Sequence, residues 1–338
     1  MKKLIKVISI FAMIFLVACS NNKTSTDSAS AEKATEKVET KKIKIVTTIF
    51  PEYDWVKNII KGNEANFDLS MLMDSGIDLH NFQPTAKDII DIGKADIFIY
   101  VGGESDKWAE GVLREASNKN LKTINLMEVL KDRVKEEEEV EGMEEESHEE
   151  GEGHEEGEEI EYDEHVWLSL KNTEYIVKEI ENEISKLDTA NAQTYKNNLS
   201  SYIAELTALD GEYKDVIDNA SRRVLLFGDR FPFRYLFDDY GLKYFAAFKG
   251  CSAETEASFK TIKFLADKLS EEKLPYVIKL EGGNGKIASA IIENSEEKNA
   301  KVETMYSIQA VGNDEIKNGA SYLDYMKKNL EVLKKVLY

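Results

Sequence analysis

The stretch NTEYIVKEIENEISKLDTANAQTYKNNLSSYIAELTALD, residues 172–210, holds neither proline nor glycine, and within it Tyr195, Leu199, Tyr202, Ile203, Leu206 and Leu209 recur at helical spacing. Asp188 is placed to cap the last long section. The spacing predicts a helix from about Asp188 to Asp218, roughly 45 Å long at 1.5 Å per residue. A rod of that length is enough to traverse two bodies, and a helical connector makes any hinge between them stiff.

The flanking segments supply the two bodies. Ile43–Thr48 (IKIVTT) is β-branched and ends shortly before Pro51, as a buried strand entering a loop does. Leu69–Met73 and Ile97–Val101 are further strand candidates, and Asp88–Lys94 between them reads as a short helix. After the rod, Val224–Phe227, Tyr244–Phe248, Tyr276–Leu280 and Val302–Met305 are short apolar runs separated by helical stretches. Strand, helix and strand alternate as in parallel α/β sheets. The expected architecture is two α/β lobes, 42–187 and 220–338, joined by one long rigid helix at 188–219.

The beginning of the chain has its own logic. Lys2 and Lys3 precede an apolar run from Leu4 to Val17, and Leu16-Val17-Ala18-Cys19 closes it. A basic start, a short apolar stretch and small residues describe a secretory signal, here 1–18, with Cys19 at the first mature position able to carry lipid. The uncharged run from Val7 to Ser20 is short of the about 20 residues that span a bilayer. Residues 19–41 are polar and without periodicity, a flexible linker between anchor and domain. The expected location is therefore extracytoplasmic, lipid-anchored to the cell membrane. With Cys19 modified, Cys251 is the only other cysteine and no intramolecular disulfide can form.

The formal charge of -20 is concentrated. Glu136 to Glu164 holds 17 Glu and one Asp with no Lys or Arg, and the rest of the chain is nearly balanced. No basic stripe of the kind that binds nucleic acid is present. The acidic run contains His148 and His154, and it ends against Asp163-Glu164-His165-Val166-Trp167-Leu168. It reads either as a self-repelling solvated loop or as a weak cation trap beside His165. His80 lies in Gly76-Ile77-Asp78-Leu79-His80-Asn81-Phe82-Gln83-Pro84-Thr85, between a strand and a helix. Taken singly, each histidine is more often a structural residue than a ligand, since ligation needs partners that proximity in sequence does not show.

In combination, the stretch around His80, the charged insert running into DEHVWL and the ending SYLDYMKKNL at Ser321–Leu330 resemble the zinc and manganese substrate-binding lipoproteins of ABC transporters. The resemblance covers the chain from about Lys42 to its end. It implies two α/β lobes joined by a long helix, a metal bound between them, and His80 and His165 as ligands from the first lobe. It further implies a third ligand three residues before the Phe of a Phe-x-Tyr motif and a fourth after a late strand. Arg230 and Tyr306 stand at those positions. Arginine cannot ligate a cation and a neutral phenol is a poor donor, so Asp229 and Glu281 are the expected substitutes. As alternatives, Asp229 caps the following helix and Glu281 is an ordinary loop charge. Cys251 is a further candidate, because thiolate favours zinc, against the commoner case of a buried inert thiol.

The function expected from these residues is capture of a divalent transition metal, Zn2+ before Mn2+, and its delivery to an ABC permease by a monomeric receptor without catalytic activity. A zinc hydrolase would need an open coordination position and a base, and no HExxH pair is present. A surface adhesin would need no metal site at all.

Overall fold

The computed structural model describes residues 41–144, 161–252 and 256–338. Cys19, His148 and His154 lie outside them. The first lobe runs β1 (Ile43–Thr47), α1 (Phe50–Ile59), β2 (Phe67–Met71), α2 (Ala86–Gly93), β3 (Ile97–Tyr100), α3 (Trp108–Arg114), β4 (Lys122–Asn125), α4 (Leu126–Leu130) and α5 (Leu170–Leu187). After α6 (Ala192–Asp218) the second lobe runs β5 (Val224–Phe231), α7 (Arg234–Tyr240), β6 (Lys243–Lys249), α8 (Phe259–Glu271), β7 (Tyr276–Leu280), α9 (Lys286–Asn294), β8 (Lys301–Met305), α10 (Asn313–Lys317) and α11 (Tyr322–Val336).

Each lobe contains a parallel four-stranded sheet, in the orders β2-β1-β3-β4 and β6-β5-β7-β8. The two orders are the same topology used twice. In both, the strand order reverses beside the first strand, and open parallel sheets place their ligands outside the carboxyl ends of the strands at such a point. The central strands are buried on both faces, as in the run Ile97-Phe98-Ile99-Tyr100, because helices cover both sides. β4 was not expected from the sequence. It is a four-residue edge strand in which only Ile124 is buried, too short and too exposed to give a pattern.

α6 is the predicted rod, 27 residues long or about 40 Å. It begins at Ala192 rather than at Asp188, because Thr189–Asn191 form a 3-10 turn first. Asp188 does not cap it. Its carboxylate instead accepts from Asn191 Nδ2 at 2.9 Å, Tyr195 Oη at 2.6 Å and Asn66 Nδ2 at 3.0 Å, which fixes the corner between α5 and α6. Tyr195, Tyr202, Leu206, Leu209, Tyr213 and Ile217 are the buried face, each such side chain stabilising the fold by about 1.5–3 kcal/mol on burial. Tyr195 packs on Phe67 of the first lobe and Tyr213 on Tyr240 of the second.

One apolar cluster runs through both lobes, from Ile45 and Trp55 by way of Leu206 to Phe227 and Met305. α11 returns from the second lobe onto α1, where Tyr322 meets Trp55 edge to face at 5.3 Å. The lobes are also tied near their facing surfaces. Trp167 Nε1 donates to the Ser307 carbonyl at 2.8 Å and Tyr235 Oη to the Asp163 carbonyl at 2.7 Å. No helix among the described residues is long and apolar enough to cross a membrane.

Candidate metal centre

The two histidines predicted from sequence come together. His80 sits in a 3-10 turn, Leu79–Asn81, whose first N–H groups are held by Asp78 at the cap, its Oδ1 accepting the His80 N–H at 3.1 Å. His165 is fixed in the same way by the residue two before it, Asp163 Oδ1 accepting the His165 N–H at 2.8 Å. Each imidazole then has its Nδ1 engaged. That of His165 meets Asp163 Oδ1 at 3.1 Å, and that of His80 shares a hydrogen bond with Ser105 Oγ at 2.8 Å, with Glu164 Oε2 at 3.6 Å. With both Nδ1 atoms occupied, the two Nε2 atoms face one another at 3.2 Å.

The third member of the cluster is Cys251, two residues beyond the end of β6. One nitrogen of each imidazole and Cys251 Sγ all lie within 4.8 Å of one another, the one such grouping of three metal-ligating side chains among the described residues. Gly250 makes the approach possible. A Cβ there would stand 3.1 Å from His165 Cε1 and 2.9 Å from the Phe231 carbonyl oxygen, so a side chain at this position would push the cysteine loop off the imidazole.

Asp229 and Glu281 are placed elsewhere. Asp229 lies in β5 just after Gly228, where a Cβ would come within 2.6 Å of Ala288 and the sheet register shifts. Its carboxylate accepts from the Arg230 N–H at 2.9 Å and the Leu280 N–H at 3.0 Å. Glu281 follows β7 and accepts from Ser307 N, Ser307 Oγ and Ile308 N at 2.7–3.0 Å. It thereby clamps a turn in which Ile308 has a φ of +66°, a strained value for a β-branched residue. Both line a cleft of about 430 Å3 together with Asp78, Arg230 and Ser252, but neither joins the His80–His165–Cys251 group. A larger concavity, about 800 Å3 between β8 and α11, contains none of these three residues.

Arg230 pairs with Asp78 at 2.7 Å and reaches the Ser252 carbonyl at 3.5 Å. Gln309 Nε2 donates to the same Asp78 oxygen at 2.7 Å. Asp78 therefore holds the His80 turn with one oxygen and the second lobe with the other. Tyr306 packs on Tyr325 at 5.4 Å, its backbone fastened by Asn329.

Electrostatics separates the two histidines. Burial, the charge of His165 and that of Arg230 push His80 down to about 3, with Asp78 opposing. His165 is buried too, but Asp163 and Glu164 outweigh the burial and raise it. Burial, reinforced by the carboxylates of Glu137, Asp163 and Glu164, pushes the Cys251 thiol well up. Buried Glu164 has an oxygen, Oε2, that makes no hydrogen bond among the described residues and points toward His80 Nδ1. Two imidazoles, a thiol and surplus buried carboxylates together suit a dication that prefers nitrogen and sulfur donors.

The supporting residues Asp78, Asp163, Glu164, Ser105 and Glu137 were not singled out from sequence. Only Asp78 and Asp163 left a signal there, the repeated Asp-x-His spacing.

Comparison with known proteins places the chain in a family. Zinc-binding lipoprotein AdcA of Streptococcus pneumoniae serotype 4 is 30% identical over 337 residues, 99% of this chain and 61% of that protein, so the chain spans about three fifths of this relative's length. High-affinity zinc uptake system protein ZnuA of Bacillus subtilis is 29% identical over 321 residues, 95% of this chain and 93% of that one. The crystal structure of the Zn(II)-bound ZnuA-like domain of S. pneumoniae AdcA matches 88% of this chain and 99% of its own with a TM-score of 0.67 and 25% identity. A family model for the periplasmic zinc-uptake complex component A matches residues 45–336, from β1 to the last turn of α11, and the chain belongs to that family.

Proposed function

We propose that this chain is an extracytoplasmic receptor that captures Zn2+ between its two lobes and delivers it to an ABC permease, anchored by lipid at Cys19 and acting as a monomer without chemistry of its own. The observation that carries the reading is the grouping of one nitrogen of His80, one nitrogen of His165 and Cys251 Sγ within 4.8 Å of one another, with the two Nε2 atoms 3.2 Å apart. In this reading His80, His165 and Cys251 are the protein ligands. The thiolate, softer than the carboxylates first expected, favours zinc over manganese. Asp229 and Glu281 hold the cleft-lining turns rather than the ion. Binding draws the first-lobe histidines and the second-lobe cysteine together, and release follows when docking on the permease separates the lobes and breaks the Asp78–Arg230 and Asp78–Gln309 bonds.

Calorimetric titration of the metal-stripped protein with zinc tests this. One tight site is expected, weakened at least about a hundredfold by His80→Ala and by Cys251→Ser, as loss of one ligand in a closed site requires, and little changed by Asp229→Ala. Retention of the tight site in Cys251→Ser with its loss in Asp229→Ala would return the third ligand to the carboxylate.

A further inference from the structure

The first part of the acidic segment is not a free loop. Residues 134–144 leave the first lobe and lie along β6, the edge strand of the second lobe's sheet. Lys135 N donates to Tyr235 Oη at 3.0 Å, and Glu138 pairs with Arg234 and accepts from Tyr244 Oη. Glu139 pairs with Lys249 at 3.7 Å, and Glu144 N donates to the Ala247 carbonyl at 2.9 Å, while its carboxylate accepts the Ser258 N–H at 2.7 Å. Met143 is buried, and Gly142 passes so close to Phe264 that a Cβ would overlap its ring. The root of the segment is closed on itself by Glu137 N to the Glu161 carbonyl and Asp163 N to the Lys135 carbonyl, both 2.9 Å. At that root, Glu137 Oε1 accepts the backbone N–H of Cys251 at 3.1 Å.

We propose that this strap is a working part of the metal centre, and that Glu137 is the positioning residue that sets the Cys251 loop against the two histidines. The inference rests on Cys251 being a ligand. The cysteine follows the end of an edge strand and has no side chain at Gly250 to anchor it, so its loop needs an outside support. The strap supplies it twice, through Glu137 on the Cys251 amide and through Glu139 on Lys249 two residues earlier. Because the strap belongs by sequence to the first lobe and lies on the second, it also tethers the lobes on the side where the cysteine sits. The described root of the acidic segment, residues 134–144 and 161–164, is thus a structural element that positions a ligand.

Cobalt(II) as probe, with its thiolate charge-transfer absorption, and zinc titration separate the possibilities in the full chain. Cys251→Ala is expected to abolish the absorption; if it does not, the ligand reading fails first. Given that loss, Glu137→Ala is expected to weaken the absorption and lower zinc affinity about ten- to hundredfold, the usual effect of removing a group that orients a ligand. Glu137→Gln keeps a carbonyl oxygen for the Cys251 N–H and is expected to retain both within about threefold, on the same reasoning. Unchanged behaviour in Glu137→Ala, or equal loss in Gln and Ala, overturns the positioning role. A measurement needing no variant is amide exchange at Cys251 in the metal-free protein, expected to be slow. Exchange at the rate of an exposed loop contradicts the strap.

Discussion

His80 and His165 present Nε2 to Nε2 at 3.2 Å because each has its Nδ1 side committed, one to Ser105 and Glu164, the other to Asp163. A carboxylate behind a ligating imidazole fixes the tautomer and raises its basicity. Asp163 does both and also holds the His165 backbone. Asp163→Asn should therefore lower zinc affinity about ten- to hundredfold while leaving the thermal midpoint of the metal-free protein close to that of the parent. Affinity within twofold of the parent would remove Asp163 from the account.

The response to pH follows from which ligands carry protons. Two histidines of ordinary pKa, about 6.5, would make affinity fail as pH falls through that value. The structure divides them. His80, held down to about 3, brings no proton to displace above about pH 5. The raised Cys251 thiol always brings one, so affinity should rise roughly tenfold per pH unit on the alkaline side. Below the raised His165 value a second proton competes and the slope approaches roughly a hundredfold per unit. Titrations in buffers of different ionisation enthalpy count these protons directly. A slope of zero between pH 7 and 9 would exclude a thiol that must deprotonate on binding.

What could be read from sequence was whatever depends on local pattern. The rod, seven of the eight strands among the described residues, and His80 and His165 each announce themselves by spacing or by composition over a few residues. Cys251 is a candidate there by its thiol chemistry alone and ranks behind Asp229 and Glu281, since its place beside His165 is made across the lobes and depends on Gly250. The root of the acidic segment was misleading for the same reason. Its glutamates read as a solvated self-repelling loop or as a weak cation trap, yet Glu137, Glu138, Glu139 and Glu144 find partners about a hundred residues away at Cys251, Arg234, Lys249 and Ser258. In sequence, Asp229 offers itself as the carboxylate next to Arg230, and Glu281 as the one that closes the Tyr276–Leu280 run before Gly282-Gly283. Backbone N–H groups at strand ends, invisible in sequence, engage both.

Asp54 links α1 to α11 and sets a second pH effect. Nearly buried, it accepts the Tyr322 N–H at 2.9 Å, and burial pushes its pKa from 3.8 to about 6 despite that bond. A carboxyl raised in the folded state favours folding most when protonated in both states, below about pH 4, and that contribution is lost as pH rises through 6. The loss is about 3 kcal/mol by pH 8. Asp54→Asn, with an amide oxygen for the same N–H, should be more stable than the parent at pH 8 by about 2–3 kcal/mol and lose that advantage at pH 4. Urea unfolding at the two pH values checks it, and an equal difference at both would show that Asp54 is not titrating abnormally.

Gly211 lies inside α6 between Tyr202, buried beside the first lobe, and Tyr213, buried in the second, and nothing stands within 4 Å of where its Cβ would be. Glycine in a helix interior costs about 0.5–1 kcal/mol against alanine, so Gly211→Ala should stabilise the protein by that amount in denaturant unfolding. The same variant probes how the lobes move. If they shift about a rod that stays rigid, stiffening its centre leaves zinc affinity and transport as they were. A variant that gains stability but delivers zinc more slowly would show instead that the rod bends at Gly211, and that the missing side chain is retained for release at the expense of the helix.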